Sequence, residues 1–361
     1  MKIKVIGAGS IGNHLSQACR RMGWEVMVVD RDEQALKRMK EEIYPKRYGA
    51  WDEAIQQFTP DKAPKGGFDV MLIGTPPDFH LSVATAVLRD EAPRVLQIEK
   101  PLCSPTLEGM SEFLEQVRKH PDTKIIVGFN HLLSEQTVKM EEIIKQGLIG
   151  QPLLMDCEFR SHWKNIFDAH PWLKGPQDTY LGYWKRGGGA GGEHAHGISM
   201  WQHAAHLVGA GRVTEVGALV EYITENGAEY DRACFMNLKT ENGLVGRLIQ
   251  DVITLPKKKF LQIQGTKGSL LWDNDVSKTL DQVSIQLHGK DREMFDIAKS
   301  RTDEFFREIQ HIDQLLNGAT RIEDSPIRLQ RALDTMAVLA AAHQSEREKR
   351  VITVDYAPVT I

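Results

Sequence analysis

The sequence predicts two domains: an α/β domain with a doubly wound parallel sheet, then an α+β domain with a large, mostly antiparallel open sheet. Apolar strands alternate with amphipathic helices up to about residue 130, and a glycine-rich turn follows the first strand. Beyond about residue 150, strand patterns follow one another with few helices between them. Alternation is typical of parallel sheets, and consecutive strands are typical of antiparallel ones. We therefore expect domains over residues 1–130 and 131–361, with the C-terminal helices packing back on the first domain.

In the first domain, each strand candidate is a short apolar run. The candidates cover residues 3–6, 25–29, 70–73, 94–98 and 124–129, with helical patterns at 32–42, 77–88 and 106–119. After the first strand, apolar residues recur at helical spacing, namely Ile11, Leu15, Ala18, Cys19 and Met22. The helix that they predict has one apolar face for the sheet.

In the second domain, the strand candidates are longer and closer together. They cover residues 152–160, 215–223, 232–238, 244–252 and 260–264, with a last strand near 351–354. Asn-Gly at 242–243 is a hairpin signal, and residues 265–268 predict a second turn. Helical patterns lie at 198–208, 302–316 and 327–345. We expect one largely antiparallel sheet.

Residues 160–196 follow neither pattern. The segment contains five aromatic residues, Trp163, Trp172, Tyr180, Tyr183 and Trp184, and a glycine run over 187–192. A long irregular segment inside a compact domain is usually functional. We interpret it as a substrate-binding wall. The alternative is a surface loop held in place by its aromatic side chains.

Composition excludes several classes of partner. The 361 residues are enough for two full cores, and the net charge of -4 gives no general case for nucleic acid or an anionic membrane. Short basic runs at 20–21 and 257–259 are interpreted as solvated surface. No apolar run approaches the ~18 residues of a membrane span, and the early first strand leaves no room for a signal peptide. Four widely separated cysteines predict free thiols and a cytoplasmic location.

The turn after the first strand is the strongest motif. Gly7-Ala8-Gly9-Ser10-Ile11-Gly12 lies between a strand and a helix, and an acidic residue follows about twenty positions on. This context is the dinucleotide fingerprint of a Rossmann domain. Glycines allow the tight turn, the approach of a pyrophosphate and close helix packing, and N–H groups at the helix start face the phosphates. The alternative is a glycine-rich turn without a cofactor.

Asp30 and Arg31 bear on the choice of dinucleotide. Asp30 ends the second strand, where a carboxylate accepts hydrogen bonds from the ribose hydroxyls and repels a 2′-phosphate. Arg31 follows directly and would instead hold that phosphate. We expect NAD, with NADP as the less favoured cofactor, because the carboxylate occupies the strand-end position itself.

Two further motifs follow strands of the predicted parallel sheet. Glu99-Lys100-Pro101 follows the strand at 94–98, and a segment from Thr75 and Pro76 to His80 follows the strand at 70–73. In a doubly wound sheet, ligands bind at the carboxyl ends of the strands. We therefore place both motifs in the dinucleotide crevice, together with Asn130 after the last strand. The alternative for Lys100 is an ordinary surface lysine.

Taken in order, these motifs form a specific set. They are the fingerprint with His14, T-P-x-x-x-H at 75–80, E-K-P at 99–101, Gly-Phe-Asn at 128–130 and the turn at 265–268. With this set the chain resembles the glucose–fructose oxidoreductase, inositol dehydrogenase and MocA family of NAD(P)-dependent enzymes. The likeness covers almost the whole chain.

The resemblance implies a Rossmann domain followed by a domain built on an open sheet. Members often self-associate through the exposed face of that sheet, so we expect a homodimer or homotetramer. Most of them oxidise or reduce a hydroxyl on a sugar, polyol or nucleotide-sugar. The lysine of E-K-P lies beside both nicotinamide and substrate, which makes Lys100 the first catalytic candidate.

The chemistry requires two groups. Hydride leaves a carbinol carbon only when the hydroxyl proton is removed and the developing alkoxide charge is stabilised. A positioned ammonium stabilises the charge, and a histidine takes the proton. We assign these roles to Lys100 and His196.

The chain departs from the family at the second catalytic element. Many members carry G-G-G, then Asp, then His four residues later at the start of a helix, whereas residues 187–197 here read GGGAGGEHAHG. If His196 matches the family His, Gly192 takes the Asp position. If Glu193 matches the Asp, Gly197 takes the His position. We prefer His196, with Glu193 or His194 as the orienting or proton-relay partner.

A zinc site is a competing interpretation of the histidines. His194, His196, His203 and His206 fall close together, and His203 and His206 share a helix face. With Glu193 they would give mixed nitrogen and oxygen ligands. Their spacing matches no zinc signature and the helix is otherwise apolar, so we expect packed histidines and no metal.

Candidate substrate contacts are His131, Arg160, Tyr183, Trp184 and Arg186. Aromatic rings stack on the apolar face of a sugar, and Arg186 would pair with a carboxylate or phosphate. The leading hypothesis is an NAD-dependent dehydrogenase acting on a CH–OH group of a carbohydrate-like substrate. One alternative is an enzyme that retains NAD and recycles it, such as a hydrolase, an epimerase or a sugar-to-sugar oxidoreductase. The other is a non-catalytic dinucleotide-binding regulator.

Overall fold

A computed structural model of the chain describes residues 1–168 and 170–361. Six of the described strands pair in parallel, in the order β3-β2-β1-β4-β5-β6. They are β1 (Lys2–Ile6), β2 (Glu25–Val29), β3 (Ile55–Phe58), β4 (Val70–Ile73), β5 (Val95–Ile98) and β6 (Lys124–Val127). The winding reverses between β1 and β4, so the carboxyl ends of these strands border the crevice in which such sheets bind ligands.

Helices cover both faces of this sheet. They are α1 (Ser10–Arg21), α2 (Glu33–Arg38), α3 (Tyr44–Tyr48), α4 (Pro77–Asp90) and α5 (Met110–Lys119). Every residue of β4 and β5 is buried, as expected for parallel strands covered on two sides. In α1, the predicted apolar face is seen in Leu15, Ala18 and Cys19, which are completely buried.

Nine described strands form the second sheet, in the order β14-β13-β12-β11-β7-β10-β9-β8-β15. They are β7 (Pro152–Arg160), β8 (Val213–Glu225), β9 (Ala228–Thr240), β10 (Val245–Asp251), β11 (Lys258–Gly265), β12 (Gly268–Ser277), β13 (Leu280–Leu287), β14 (Glu293–Ala298) and β15 (Ile352–Thr353). β7 and β10 are parallel, and the other neighbouring pairs of described strands are antiparallel. The predicted fold class is confirmed, with a hairpin at the predicted Asn-Gly turn.

The second group of helices lies on one face of this sheet and beside the first domain. It consists of α6 (Glu135–Lys145), α7 (Trp163–Phe167), α8 (Gly189–Glu193), α9 (Ala195–Leu207), α10 (Arg301–Asn317) and α11 (Leu329–Glu348). The start of α9 is so close to the sheet that a Cβ on Gly197 would lie 3.1 Å from side-chain atoms of Phe159 and Leu248. The other sheet face is open. No helix among the described residues has the length and apolar character needed to cross a membrane.

Helix α10, in the C-terminal part of the chain, packs on the first domain. The ring of His14 in α1 stacks on Phe305 with centroids 4.4 Å apart. Deeper in the contact, Gln97 Nε2 donates to the buried Glu308 Oε1 over 2.8 Å. The fingerprint helix is therefore covered by a segment almost three hundred residues later in the chain.

The irregular segment over 160–196 has its own small apolar cluster. Trp163, Leu181, Tyr230 and Val252 pack together apart from the main core. Apart from α7 and α8, the described part of the segment contains only short 3-10 turns, and residue 169 lies outside the described residues. The cluster fixes the segment against β9 and the end of β10.

Candidate active site

The glycine-rich turn brings three chain segments into close contact. Gly7 has a φ of +110°, and a Cβ there would lie 2.8 Å from the carbonyl oxygen of Gly74. A Cβ on Gly12 would lie 1.9 Å from the carbonyl oxygen of Gly7. Glycine is therefore required at both positions. The residue before α1, Gly9, provides no side-chain cap, so the N–H groups at Ser10 and Ile11 suit the phosphates of a dinucleotide.

Asp30 is held beside this turn. Its Oδ2 accepts from the Ala8 N–H over 2.7 Å, and its Oδ1 accepts from the Asp32 N–H over 2.9 Å. The Arg31 guanidinium lies over the Phe79 ring of α4, 4.8 Å from the centroid. The carboxylate thus lies next to the glycine turn, as recognition of the ribose of NAD requires.

His80 joins two of the predicted cofactor motifs. One ring nitrogen lies 2.7 Å from the Thr75 carbonyl oxygen and the other lies 2.9 Å from the Pro101 carbonyl oxygen. The ring is completely buried. His80 therefore links the segment after β4 to E-K-P beneath the crevice, with Pro76 at the start of α4.

Glu99 and Asn130 lie at the ends of neighbouring strands. Glu99 is 5% exposed, and a Cβ on Gly128 would lie 2.7 Å from its Oε1. Asn130 begins a 3-10 turn directly after Phe129 and is 8% exposed. Both residues border the E-K-P loop, and Glu99 accepts from the Lys100 N–H over 3.3 Å.

Lys100 reaches across from the parallel sheet to the second domain. Its Nζ lies 2.9 Å from the carbonyl oxygen of Glu193 and 3.1 Å from Glu193 Oε2. The two side chains are only 14% and 22% exposed. One residue of α8 thus accepts two hydrogen bonds from the ammonium and fixes its position at the carboxyl end of β5.

Glu193 is held in its ionised form. Burial alone would raise the pKa of this carboxyl, but the positive charge of Lys100 and the hydrogen bond from its ammonium outweigh burial and lower it. An ionised Glu193 keeps the Lys100 ammonium in place by attraction as well as by hydrogen bonding. The pair is therefore a preorganised charge at the edge of the crevice.

His194 is a neutral imidazole. Burial and the nearby Lys259 and Lys100 together lower its pKa to about 4, although Glu193 opposes them. The residue is 4% exposed, and its Nε2 has no hydrogen-bond partner among the residues that the structure describes. His194 therefore presents an uncharged ring nitrogen next to the Lys100–Glu193 pair.

His131 and His196 lie together on the other side of α9's first turn. Their rings meet edge to face with centroids 4.5 Å apart, and Phe129 contacts His196 with centroids 5.7 Å apart. His131 also lies 6.0 Å from Phe159, between centroids. The structure thus brings two predicted site residues into one aromatic cluster at the end of the parallel sheet.

The remaining substrate candidates are spread along the irregular segment. Arg186 Nε donates to Asp78 Oδ2 at the start of α4 over 2.7 Å, and its guanidinium lies 5.6 Å from the Tyr183 ring centroid. Trp184 stacks on His343 with centroids 4.8 Å apart. Arg186 therefore contacts the first domain and lies near Tyr183, whereas Trp184 packs on α11.

Arg160 is not brought to this site. Its Nε donates to Asp251 Oδ2 over 2.6 Å, and its guanidinium also pairs with Glu158. Successive side chains of a strand point to opposite faces, and Phe159 faces the helices. Arg160 therefore belongs to an ion-pair network on the open face of the sheet.

Two residues that face the site, Lys259 and Asp231, were not predicted from the sequence. The run at 257–259 was expected to be solvated surface, and that expectation is wrong for Lys259. Lys258 is exposed and pairs with Glu158 over 3.0 Å, whereas Lys259 is only partly exposed and lies opposite Phe159 on the helix-covered face, with its ammonium 5.7 Å from that ring. Asp231 of β9 accepts a hydrogen bond from α8. Strand alternation was the available signal for Lys259, and a lone Asp in a strand gave none.

The zinc interpretation is not supported by the positions of the histidines. Among residues 1–168 and 170–361, the structure shows no group of three His, Cys, Asp or Glu side chains arranged to hold a metal ion. His203 Nε2 instead lies 2.9 Å from Glu141 Oε1 of α6. His206 is on the same helix face, at its C-terminal end.

A doubly wound sheet with this glycine turn, joined to a second domain that meets its lysine, defines a dinucleotide-binding oxidoreductase. Residues 1–129 match the model of an oxidoreductase family with an NAD-binding Rossmann fold, and residues 137–271 match the GFO/IDH/MocA C-terminal domain. The chain belongs to the GFO/IDH/MocA family of oxidoreductases. The predicted resemblance and the predicted NAD-binding class are confirmed.

Individual relatives are distant. An inositol 2-dehydrogenase/D-chiro-inositol 3-dehydrogenase of Shouchella clausii is 25% identical over 163 residues, which is 45% of this chain and 45% of that protein. The chain thus aligns with less than half of its curated relative. A levoglucosan dehydrogenase in complex with NADH and levoglucosan superposes with a TM-score of 0.77 at 16% identity, covering 99% of both chains. The WlbA dehydrogenase of Bordetella pertussis with NADH and UDP-GlcNAcA gives 0.72 at 18% identity over 98% of both chains. These two structures share the fold.

Proposed function

We propose that this protein is an NAD-dependent dehydrogenase that transfers hydride between the nicotinamide and a hydroxyl or carbonyl carbon of a sugar, polyol or nucleotide-sugar. The proposal rests on one observation. The Lys100 ammonium, at the end of β5, donates hydrogen bonds to both the backbone carbonyl oxygen and the carboxylate of Glu193. The names of the relatives, which are inositol, levoglucosan and WlbA dehydrogenases, support this substrate class.

The residues divide the chemistry between them. NAD, when bound, takes up or returns the hydride. Lys100 stabilises negative charge on the substrate oxygen, and Glu193 orients Lys100. The proton of the substrate hydroxyl goes to His196. His194 is a poor acceptor near neutral pH because its pKa is about 4, and it serves as a neutral hydrogen-bonding partner.

The cofactor site in this proposal combines residues that follow five strands of the first sheet, β1, β2, β4, β5 and β6. Gly7, Gly9, Ser10, Ile11 and Gly12 hold the pyrophosphate, Asp30 and Arg31 flank the adenosine ribose, and Thr75, Pro76, His80, Glu99, Lys100 and Asn130 form the nicotinamide end. The uncapped start of α1 and the position of Asp30 next to the turn support NAD at this place. His131, Tyr183 and Arg186 are the remaining substrate candidates.

The test follows the absorbance of reduced nicotinamide while NAD is offered with sugars, polyols, uronic acids and nucleotide-sugars. Lys100→Met keeps the length of the side chain and removes its charge, and the exposed Lys65→Met is the matched control. We expect one substrate group to give a signal that Lys100→Met lowers by on the order of a thousandfold. NAD affinity should stay within about threefold, because Lys100 contributes to chemistry more than to cofactor binding. Wild-type turnover in Lys100→Met would overturn the mechanism.

A second candidate retains the cofactor through each cycle. It is favoured by two contacts of the irregular segment with the first domain. Arg186 donates to Asp78 of α4, and Trp172 lies 5.7 Å from the Arg38 guanidinium of α2. Such contacts would slow the exit of a dinucleotide. Nucleotide that survives gel filtration of the purified protein, together with no signal from the substrate panel, would favour internal recycling. A bound nucleotide that no substrate ever reduces or oxidises would favour a regulator.

Self-association and location belong to the same proposal. The open face of the second sheet exposes Leu154, Leu219, Phe235, Val245 and Val351, with Leu219 70% exposed. Several large apolar side chains exposed on one face of a sheet are typical of a subunit interface. We place the protein as a homodimer or homotetramer in the cytoplasm, where its free cysteines stay reduced.

A further inference from the structure

Helix α8, whose Glu193 binds Lys100, has a sequence with low helix propensity. Three of the five residues of α8 are glycine, and the residue before it provides no side-chain cap. Each glycine costs about 1 kcal/mol relative to alanine in a helix interior. A helix of one turn with this composition does not form alone. The position of α8, and therefore that of Glu193, must be set by contacts with other elements of the structure.

Asp231 of β9 supplies the outside contact. The residue is completely buried, and its Oδ2 accepts from the Gly191 N–H over 2.7 Å. A Cβ on Gly189 would lie 1.8 Å from Asp231 Oδ1, and one on Gly191 would lie 3.3 Å from Oδ2. The glycines of α8 therefore let a carboxylate from another element reach the first turn. That carboxylate takes the place of a missing helix cap and faces the positive end of the helix.

We infer that Asp231 is a positioning residue, whose carboxylate fixes α8 and thereby the place at which Glu193 meets Lys100. The catalytic consequence rests on the proposed function, whereas the hydrogen bond to α8 does not. The path runs from Asp231 to Gly191, then through α8 to Glu193, and ends at the Lys100 ammonium. Lys100 and Glu193 lie in motifs of the sequence, whereas Asp231 lies in none.

The surroundings of Asp231 make the contact sensitive to pH. Burial raises the pKa of Asp231 to about 7, although the N–H groups of Gly191 and Ala190 lower it. The groups that face it are Tyr222 on β8, Cys234 on β9 and His343 on α11, which lies against Gly191. Burial raises the pKa of Tyr222 and Cys234 and lowers that of His343 to about 4. Asp231 is therefore the member of this group that ionises near neutrality, and its contact with α8 strengthens as pH rises.

The first experiment measures the contact without any substrate. Hydrogen–deuterium exchange over residues 187–194 is compared in wild type, Asp231→Ala and Asp231→Asn, with the exposed Asp122→Asn as control. Alanine removes the acceptor, so we expect at least about tenfold faster exchange in this segment. The asparagine oxygen still accepts, so Asp231→Asn should stay near wild type. Corrected for intrinsic rates, wild-type protection should rise between about pH 6 and 8, and that of Asp231→Asn should not.

The second experiment measures the catalytic consequence with a substrate found in the panel. Asp231→Ala should lower kcat by on the order of ten- to a hundredfold, with the KM for NAD changed by less than about threefold. Asp231→Asn should keep most of the wild-type kcat. Its pH profile should lack the decrease in kcat that wild type shows below a pH near 7. A residue that only stabilised the fold would leave the pH profile of the folded fraction unchanged.

The outcomes separate the two proposals. Exchange in Asp231→Ala that matches wild type would overturn the inference. If the alanine variant does not fold, protection in Asp231→Asn that rises with pH as it does in wild type would overturn it. Wild-type turnover with an unaltered kcat and pH profile in Asp231→Ala would also overturn it and leave the proposed function standing. Absence of any wild-type turnover would count against the proposed function, while the exchange data would still decide the role of Asp231.

Discussion

The rings of His131 and His196 touch edge to face with centroids 4.5 Å apart, and this contact joins the end of the parallel sheet to the start of α9. Phe159 and Trp272 lie behind His131, with centroids 6.0 and 6.2 Å from it. Both imidazoles are thus packed against aromatic neighbours. Helix α9, which carries His196, begins two residues after Glu193 and so links this cluster to the Lys100–Glu193 pair. This arrangement gives the first prediction.

His196→Asn should lower kcat by about a hundred- to ten-thousandfold, because a positioned general base contributes that much to proton transfer. NAD affinity should not change, since the histidine is assigned to the substrate proton. The matched control is His288→Asn, an exposed histidine between β13 and β14. Stopped-flow absorbance of reduced nicotinamide measures the step. Full activity in His196→Asn would show that His196 is not the proton acceptor.

Asp30→Asn should weaken NAD binding by about tenfold and reduce the ratio of the affinity for NAD to the affinity for NADP. The charged carboxylate that accepts from ribose hydroxyls is lost, and a hydrogen bond to a charged group contributes about 1.5–3 kcal/mol. Quenching of tryptophan fluorescence on titration with each dinucleotide measures both affinities. Asp32→Asn is the control, because Asp32 caps α2 and an asparagine caps equally well. Unchanged NAD affinity in Asp30→Asn would mean that the ribose is bound elsewhere.

The free energy of unfolding of Glu308→Gln should increase relative to that of wild type as pH rises. Burial and the nearby Glu99 carboxyl raise the pKa of Glu308 well above its usual value, so the folded state keeps a proton that the unfolded chain loses above about pH 4.3. Wild-type stability is therefore fully present below that pH and falls, by at most about 1.4 kcal/mol per pH unit, towards the raised pKa. Glutamine carries no such proton and can still accept from Gln97.

Urea unfolding of wild type and Glu308→Gln between about pH 5 and 8 measures this difference in the free energy of unfolding. Glu323→Gln, at an exposed position, is the control. A constant difference between Glu308→Gln and wild type across the range would show that Glu308 does not hold its proton.

Leu219→Glu should convert the proposed homodimer or homotetramer to smaller species. Leu219 is 70% exposed at the open face of the second sheet, and a buried unpaired carboxylate in an interface costs several kcal/mol. Sedimentation velocity measures the change in mass. Val138→Glu, 48% exposed on α6, introduces the same charge away from that face. An unchanged sedimentation profile in Leu219→Glu would exclude this face as the interface.

The fold was predictable where local pattern decides it. The glycine turn, the short apolar strands and the long helices α10 and α11 depend on a few neighbouring residues, and they occur close to the predicted positions. β3, α6 and the strands β12 to β14 were not predicted. β12 to β14 are edge-side strands with mixed polar sequences, and their pairing depends on partners rather than on their own periodicity.

The candidate site was predictable only in part for a related reason. Lys100 and Glu193 carried motifs, and they meet in space. Which face of a strand a residue occupies depends on register, so Arg160 was assigned to the site and Lys259 was left on the surface. Asp231 acts through a contact between elements distant in sequence, which no local pattern records.

The place of β7 in the second sheet governs the order in which the chain can fold. β7 pairs with β10 on one side and β11 on the other, both of which begin more than eighty residues later. On the ribosome, the first sheet can close once its sixth strand has emerged, but Met155, Cys157 and Phe159 of β7 must wait for both later strands. Long-range pairing of this kind is slow and leaves apolar surface open in the meantime. The growing chain therefore passes through a stage with a closed first sheet that still lacks α10 and with an unshielded β7, at which chaperones would be expected to act.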